Sequence, residues 1–186
     1  YIHEYLMGRR QEMFDLMAWN ADATRMPYRM HSEYLRRIFL GNELADGKYR
    51  LGGAPVTIGD IKVPIFCVST TSDHVAPWES VYKLHLLADT EITFVLTNGG
   101  HNAGIVSEPG HAGRRYRIRT TGEDESYLSP DGWRTAAEQR DGSWWPALVK
   151  WLRARSSGET PPPGLGTQGD SYRPMEDAPG TYVFQR

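Results

Sequence analysis

With 186 residues, 39% of them hydrophobic, the chain has material for one core or for a core with a partial covering layer. A formal net charge of −2 gives no long-range attraction to nucleic acid or an anionic membrane, and no apolar run nears the roughly 20 residues that span a bilayer. The single cysteine, Cys67, excludes an internal disulfide and fits a reducing cytoplasm.

Residues 1 to about 40 read as a helical hairpin laid over something else. Met13, Leu16 and Met17 share one face of a first helix, and Leu35, Ile38 and Phe39 share one face of a second. WNADATRMP separates them with turn and cap formers, among which Asn20, Asp22 and Arg25 read as turn capping, and Gly41 stops the second helix. From Lys48 to Ile61, Gly52, Gly53, Pro55 and Gly59 break short apolar fragments into a loop or a small hairpin. Ile65, Phe66, Cys67 and Val68 then form a continuous apolar run, as do Ile92, Phe94, Val95 and Leu96, which suits strands buried on both faces of a parallel sheet. Between these runs Pro77 fits a first helical turn, and Val81, Leu84 and Ala88 make an apolar stripe at helical spacing. Strand, helix, strand predicts a right-handed βαβ crossover, with both post-strand loops at one carboxyl edge.

Beyond it, RRYRIR at 114–119 alternates as a strand with one wet face does. The chain stays polar until Ser143, which can cap a helix running to about Arg155 that buries Trp144, Leu148, Trp151 and Leu152. Ser156 to Asp170, with Pro161, Pro162 and Pro163, reads as an extended tether, and SYRPMEDAPGTYVFQR regains aromatics that should dock back. The expected organisation is a helical lid segment at 1–50, a core at 51–155 and an extended tail at 156–186.

Asp73, in IFCVSTTSDHVAPW, and His101, in ITFVLTNGGHNAG, each follow one of the apolar runs. Acid then histidine, at one sheet edge, is the order and placement of the last two members of an α/β-hydrolase-type triad. Histidine can take and return protons near neutral pH, and a carboxylate on its other ring nitrogen fixes the tautomer. The nucleophile is missing: no G-x-S-x-G or G-x-C-x-G box occurs, so the chain, which opens at Tyr1, reads as the C-terminal piece of a longer enzyme. Taken singly, Asp73 could instead be a helix cap or turn former; the pair carries more than either residue. His74, Trp78 and Asn102 are candidates to steady the loops or touch substrate. A metal site at Asp73, His74 and His101 is not expected, since no further ligand stands at metal-site spacing. Cys67, inside a strand run without flanking glycines, reads as a core residue and not the missing thiol.

WNADATR, SDHVAPW, GGHNAG, GSWWP and APGTYV, in that order, make the chain resemble the C-terminal part of class I polyhydroxyalkanoate synthases. The resemblance implies an α/β-hydrolase-like fold and polymerisation of (R)-3-hydroxyacyl-coenzyme A into storage polyester, with no cofactor beyond the coenzyme A thioester substrate. It implies that Asp73 matches the family's catalytic aspartate and His101 its catalytic histidine, with the nucleophilic cysteine upstream of Tyr1. The aspartate would either orient His101 or activate the substrate's 3-hydroxyl. The resemblance also implies a cytoplasmic, granule-associated homodimer that meets its partner through the lid. Asn102 departs from the pattern, since the family more often has an aliphatic residue there. The arginines of RRYRIR could touch coenzyme A phosphates, although a solvated strand is the plainer reading. Two other readings stay open: a serine hydrolase such as a depolymerase or lipase, told apart by the residue at the upstream elbow, and a noncatalytic granule-binding domain.

Overall fold

In the computed structural model, which describes residues 6–8, 25–166, 172–177 and 180, the first helix described over its length is α1 (Tyr28–Glu33), which continues as a wider π-type turn over Tyr34–Leu40. Gly41 comes next, as expected, its N–H donating to the Arg36 carbonyl. Met13, Leu16, Met17, Asn20 and Asp22 lie outside the described residues, and with them the first helix of the expected hairpin. The face formed by Leu35, Ile38 and Phe39 is not buried: Leu35 is 41% and Phe39 72% exposed. Arg37 instead fastens the helix to the 43–49 segment, bonding Glu33 and Glu43 and lying over the Tyr49 ring.

A two-residue hairpin, β1 (Arg50–Leu51) with β2 (Ala54–Pro55), realises the broken 48–61 stretch. The chain then runs through β3 (Ile65–Thr70), α2 (Trp78–Tyr82, extended by a 3-10 turn over Lys83–Leu86) and β4 (Ile92–Thr97). Next come β5 (Arg115–Thr121), α3 (Pro130–Ala136), β6 (Glu138–Asp141) and α4 (Trp145–Arg153).

The sheet order is β3-β4-β5-β6. The two apolar runs pair in parallel, Ile65 beside Ile92 through to Thr70 beside Thr97, as the strand-helix-strand pattern requires. β5 and β6 are antiparallel, so the sheet is mixed. The reason is the connection: residues 98–114 carry no helix to cross a sheet face, so the chain turns back beside β4. β4 is buried along its whole length, but Ile65 to Val68 are only half-buried, because β3 is the sheet's edge among the described residues.

Alternation along β4 feeds two cores. Ile92, Phe94 and Leu96 face Trp78 and Tyr82 of α2 and Trp133 and Ala137, with Val81, Leu84 and Ala88 packed around them. Val95 points the other way, with Tyr116, against Trp144. Trp133 stands on α3, an element not anticipated in the polar stretch before Ser143. Its local signals are nonetheless plain: Ser129 accepts from the Gly132 N–H and Pro130 occupies the first turn. At α4, the N-cap residue Trp144 is buried, but Leu152 is 47% exposed, and Ala147 and Leu148 complete the packed face. Ser143 sits one residue before the N-cap, accepting from the Trp145 N–H.

From Ser156 to Gly166 the chain has no helix or strand and is exposed. Of the closing segment, the described Tyr172 and Met175 are 75% and 83% exposed. Among the described residues no helix is long and apolar enough to cross a membrane.

Candidate active site

The parallel register of β3 and β4 continues past their ends. The Thr71 N–H donates to the Thr97 carbonyl at 2.9 Å and the Ser72 N–H to the Gly99 carbonyl at 3.0 Å, so the two post-strand loops are zipped together. This brings Asp73 to His101: Nδ1 of the imidazole donates to Oδ2 of the carboxylate at 2.8 Å. A carboxylate only accepts, so Nδ1 carries the proton and Nε2 is left as the basic nitrogen. No described residue bonds Nε2, and the His101 side chain is 47% exposed while that of Asp73 is 8% exposed. The carboxylate is thus sheltered and the imidazole open.

Oδ1 of Asp73 accepts from the N–H groups of Ala76 and Val75 at 2.8 and 2.9 Å. The Ala76 N–H, above all, holds the carboxyl below the usual aspartate range; His101 and Val75 add to this, and partial burial opposes it. The acid is therefore a turn former and the partner of His101 at once, one oxygen for each role.

Two glycines let the His101 loop fold so tightly. Gly99 has φ +118°, and a Cβ there would stand 2.8 Å from the Gly104 Cα. A Cβ on Gly104 would stand 2.5 Å from Cγ2 of Thr70, at the end of β3. Gly104→Ala is accordingly expected to destabilise the protein by roughly 1–3 kcal/mol by overpacking; a denaturation midpoint matching that of the unaltered protein would show that the loop has slack. Side chains that sequence reading did not connect with the site clamp this loop. Arg114 donates to the Ala103 carbonyl at 2.6 Å, and Trp144 and Trp145 donate their indole N–H groups to the carbonyls of Gly104 and Ile105. The Ser143 hydroxyl donates to the Ser107 carbonyl, and Asn98 bonds Gly113 and Arg115. The only hint in the sequence was the clustering of turn formers and tryptophans, since such bonds join residues up to 40 positions apart.

The neighbours of the pair differ in placement. His74 is exposed, with no hydrogen bond among the described residues. Asn102 is half-buried, and its carbonyl accepts from the Ile105 and Val106 N–H groups, closing the turn after His101. Trp78 is 6% exposed, its ring 6.2 Å from Tyr82 and 6.1 Å from Trp133, so it underpins the Asp73 loop from the core. Among the described residues no three His, Cys, Asp or Glu side chains gather as a metal site.

Cys67 packs against the core below, and burial pushes its thiol up to about 11. It should resist iodoacetamide in the native protein at pH 7.5 and react on unfolding; rapid native labelling of its peptide, read by mass spectrometry, would contradict its placement.

No protein-family model matches the chain, whereas individual proteins match it from end to end. A poly(3-hydroxyalkanoate) polymerase of Methylorubrum extorquens is 39% identical over 184 residues, 98% of this chain and 29% of the relative. A poly(3-hydroxyalkanoate) polymerase subunit PhaC of Rhizobium meliloti (strain 1021) is 37% identical over 186 residues, 100% of this chain and 29% of the relative. That of Cupriavidus necator is 35% identical over 184 residues, 98% of this chain and 30% of the relative. The chain thus spans about three-tenths of the length of the relatives it matches, and over that span it is homologous to the poly(3-hydroxyalkanoate) polymerases.

Proposed function

We propose that this chain supplies the acid and base of a polyhydroxyalkanoate synthase, which polymerises (R)-3-hydroxyacyl-coenzyme A into polyester with release of coenzyme A. The Asp73–His101 bond at 2.8 Å, at the meeting point of two post-strand loops, carries this reading, and the whole-length likeness to poly(3-hydroxyalkanoate) polymerases supports it. Nε2 of His101 removes the proton from a cysteine thiol, the thiolate attacks the thioester carbonyl, and the departing coenzyme A thiolate takes a proton back from the imidazolium. In the second half, Nε2 takes the proton of the 3-hydroxyl, whose oxygen attacks the enzyme-bound acyl group; the carbon–sulfur bond breaks and the cysteine thiolate leaves, taking the proton back from the imidazolium. Asp73 keeps the proton on Nδ1 and stabilises the imidazolium. That both its oxygens are engaged, one by backbone and one by His101, favours this orienting role over direct contact with the substrate hydroxyl.

The nucleophilic cysteine, in this reading, belongs to residues upstream of this chain: no nucleophile box occurs within it, and Cys67 is a half-buried residue within β3, packed against the core, with its thiol pushed up to about 11. The mixed sheet is the later part of an α/β-hydrolase-like fold. The exposed apolar face of Tyr28–Leu40 belongs to a lid that meets a second subunit, in a cytoplasmic, granule-associated dimer that needs no cofactor. The test is thiol release from (R)-3-hydroxybutyryl-coenzyme A, followed with a thiol-reactive dye. The intact protein is expected to turn over and the 186-residue chain alone to be inert; turnover by the chain alone, or an inert intact protein, would overturn the assignment.

A further inference from the structure

Next to the Asp73–His101 rim, on the α2 and α3 face of the sheet, lies a cleft of about 390 Å³ that begins at Thr71 and Asn98 and runs down between β5 and α3. Its charged side chains are Arg115, Arg117 and Arg134, with Gln139 beside them and no carboxylate in the lining. The fold collects them from far apart. Arg115 and Arg117, two residues apart on β5, project to one face; Gln139 pairs with Arg117 across to β6, and Arg134 comes from α3.

Arg37, Arg119, Arg140, Arg153 and Arg155 each bond a carboxylate, but among the described residues Arg115, Arg117 and Arg134 form no ion pair, even though Asp141 stands opposite Arg115 in the register. Arg29, Arg36, Arg50 and Arg114 also form no ion pair among the described residues, but only in this cleft do three such arginines share one lining without a carboxylate. Arg117 spends one N–H on the Ala137 carbonyl and keeps the rest. Three guanidinium groups lining one concavity, two of them reaching solvent, give it local positive charge in a chain of net charge −2. Several guanidinium forks with amide and hydroxyl donors alongside suit a group with many acceptor oxygens and more than one negative charge, which describes a phosphate ester better than a single carboxylate.

We propose that this cleft binds phosphate groups of the acyl donor, holding its phosphorylated end while the thioester reaches the rim where Asp73 and His101 meet. The assignment rests on the synthase reading for the identity of the donor and on the arginine cluster for the place. It also gives a use to part of the RRYRIR pattern, since Arg115 and Arg117 line the cleft, whereas Arg119 pairs with Glu125 and Arg114 bonds the His101 loop.

The test is calorimetric titration of the intact protein with coenzyme A, with adenosine 3′,5′-bisphosphate and with inorganic phosphate. Beside it runs the double variant Arg115→Gln/Arg134→Gln, which spares Arg117 and its bond to Ala137. Coenzyme A and the bisphosphate are expected to bind the double variant about tenfold more weakly or worse, in line with the loss of two charge-assisted contacts. Arg115→Lys/Arg134→Lys should recover part of the affinity, and added salt should weaken binding to the unaltered protein more than to the glutamine variant. Equal affinity of the unaltered and glutamine proteins, no binding to the unaltered protein, or inorganic phosphate binding as tightly as coenzyme A would each overturn the proposal. Binding is read without turnover. A protein that holds coenzyme A through these arginines yet releases no thiol from the acyl donor would refute the synthase reading and uphold the cleft.

Discussion

If the proposed mechanism holds, His101→Gln in the intact protein is expected to lower thiol release from (R)-3-hydroxybutyryl-coenzyme A by about a thousandfold or more, because both half-reactions of that mechanism require a base and an amide cannot accept the proton. The effect should fall on kcat, with KM changed little, since in the proposed mechanism the imidazole moves protons and does not hold the substrate. Asp73→Asn should cost a similar factor by another route. An amide can donate to Nδ1, which turns the imidazole to the tautomer with its proton on Nε2 and removes the base from the side that faces solvent. Rates within a few-fold of the unaltered protein in either variant would remove the pair from the mechanism. The carboxylate also bears on stability, with a definite sign. Its pKa is lowered on folding, so its contribution is present above the ordinary aspartate pKa of about 3.9 and is lost only as pH falls through the lower folded value. The contribution of Asp73 to the difference in melting temperature between the unaltered protein and Asp73→Asn should therefore shrink as the solution is acidified below about pH 4.

Trp133→Ala is expected to destabilise the protein by about 3–5 kcal/mol, the range for truncating a fully buried large aromatic. The side chain is 0% exposed and sits where α2, α3 and β4 meet, edge-on to Phe94 at 5.0 Å and beside Tyr82 at 5.8 Å. Removing it leaves a cavity that the sheet and two short helices cannot close without losing their mutual contacts. Trp133→Phe should cost less: it keeps most of the ring packing, and it removes an indole N–H that is buried with no partner among the described residues, which offsets part of the lost volume. Chemical denaturation of the intact protein would decide, and a loss below about 1 kcal/mol for the alanine variant would mean that the layer beneath the candidate site is more plastic than its packing implies. Because Trp78 belongs to the same cluster and leads directly from the Asp73 turn, loosening Trp133 should also slow catalysis at temperatures well below the melting point.

Much of the site was legible in the residues. Apolar runs at 65–68 and 92–96 announce strands because a short uninterrupted hydrophobic stretch has few other ways to leave water, and the helical stripe between them dictates parallel pairing. Placing Asp73 and His101 after those runs then puts both on one rim. The exposure of Leu35, Phe39 and Leu152 was not legible: periodicity says which residues share a face, while burial depends on whether another surface covers that face. Trp133 was passed over because it stands alone in a polar stretch, where no periodic pattern surrounds it.

Composition and order along the chain therefore specify the strands, the turn chemistry at Asp73 and the glycines around His101, all properties of neighbours in sequence. The antiparallel return of β5, the joining of Oδ2 to Nδ1, the indole clamps on the 104–105 carbonyls and the convergence of Arg115, Arg117 and Arg134 belong to the folded chain. Each depends on contacts between residues tens of positions apart, and such contacts exist only after loop closure and packing have chosen one arrangement among those that local preferences allow.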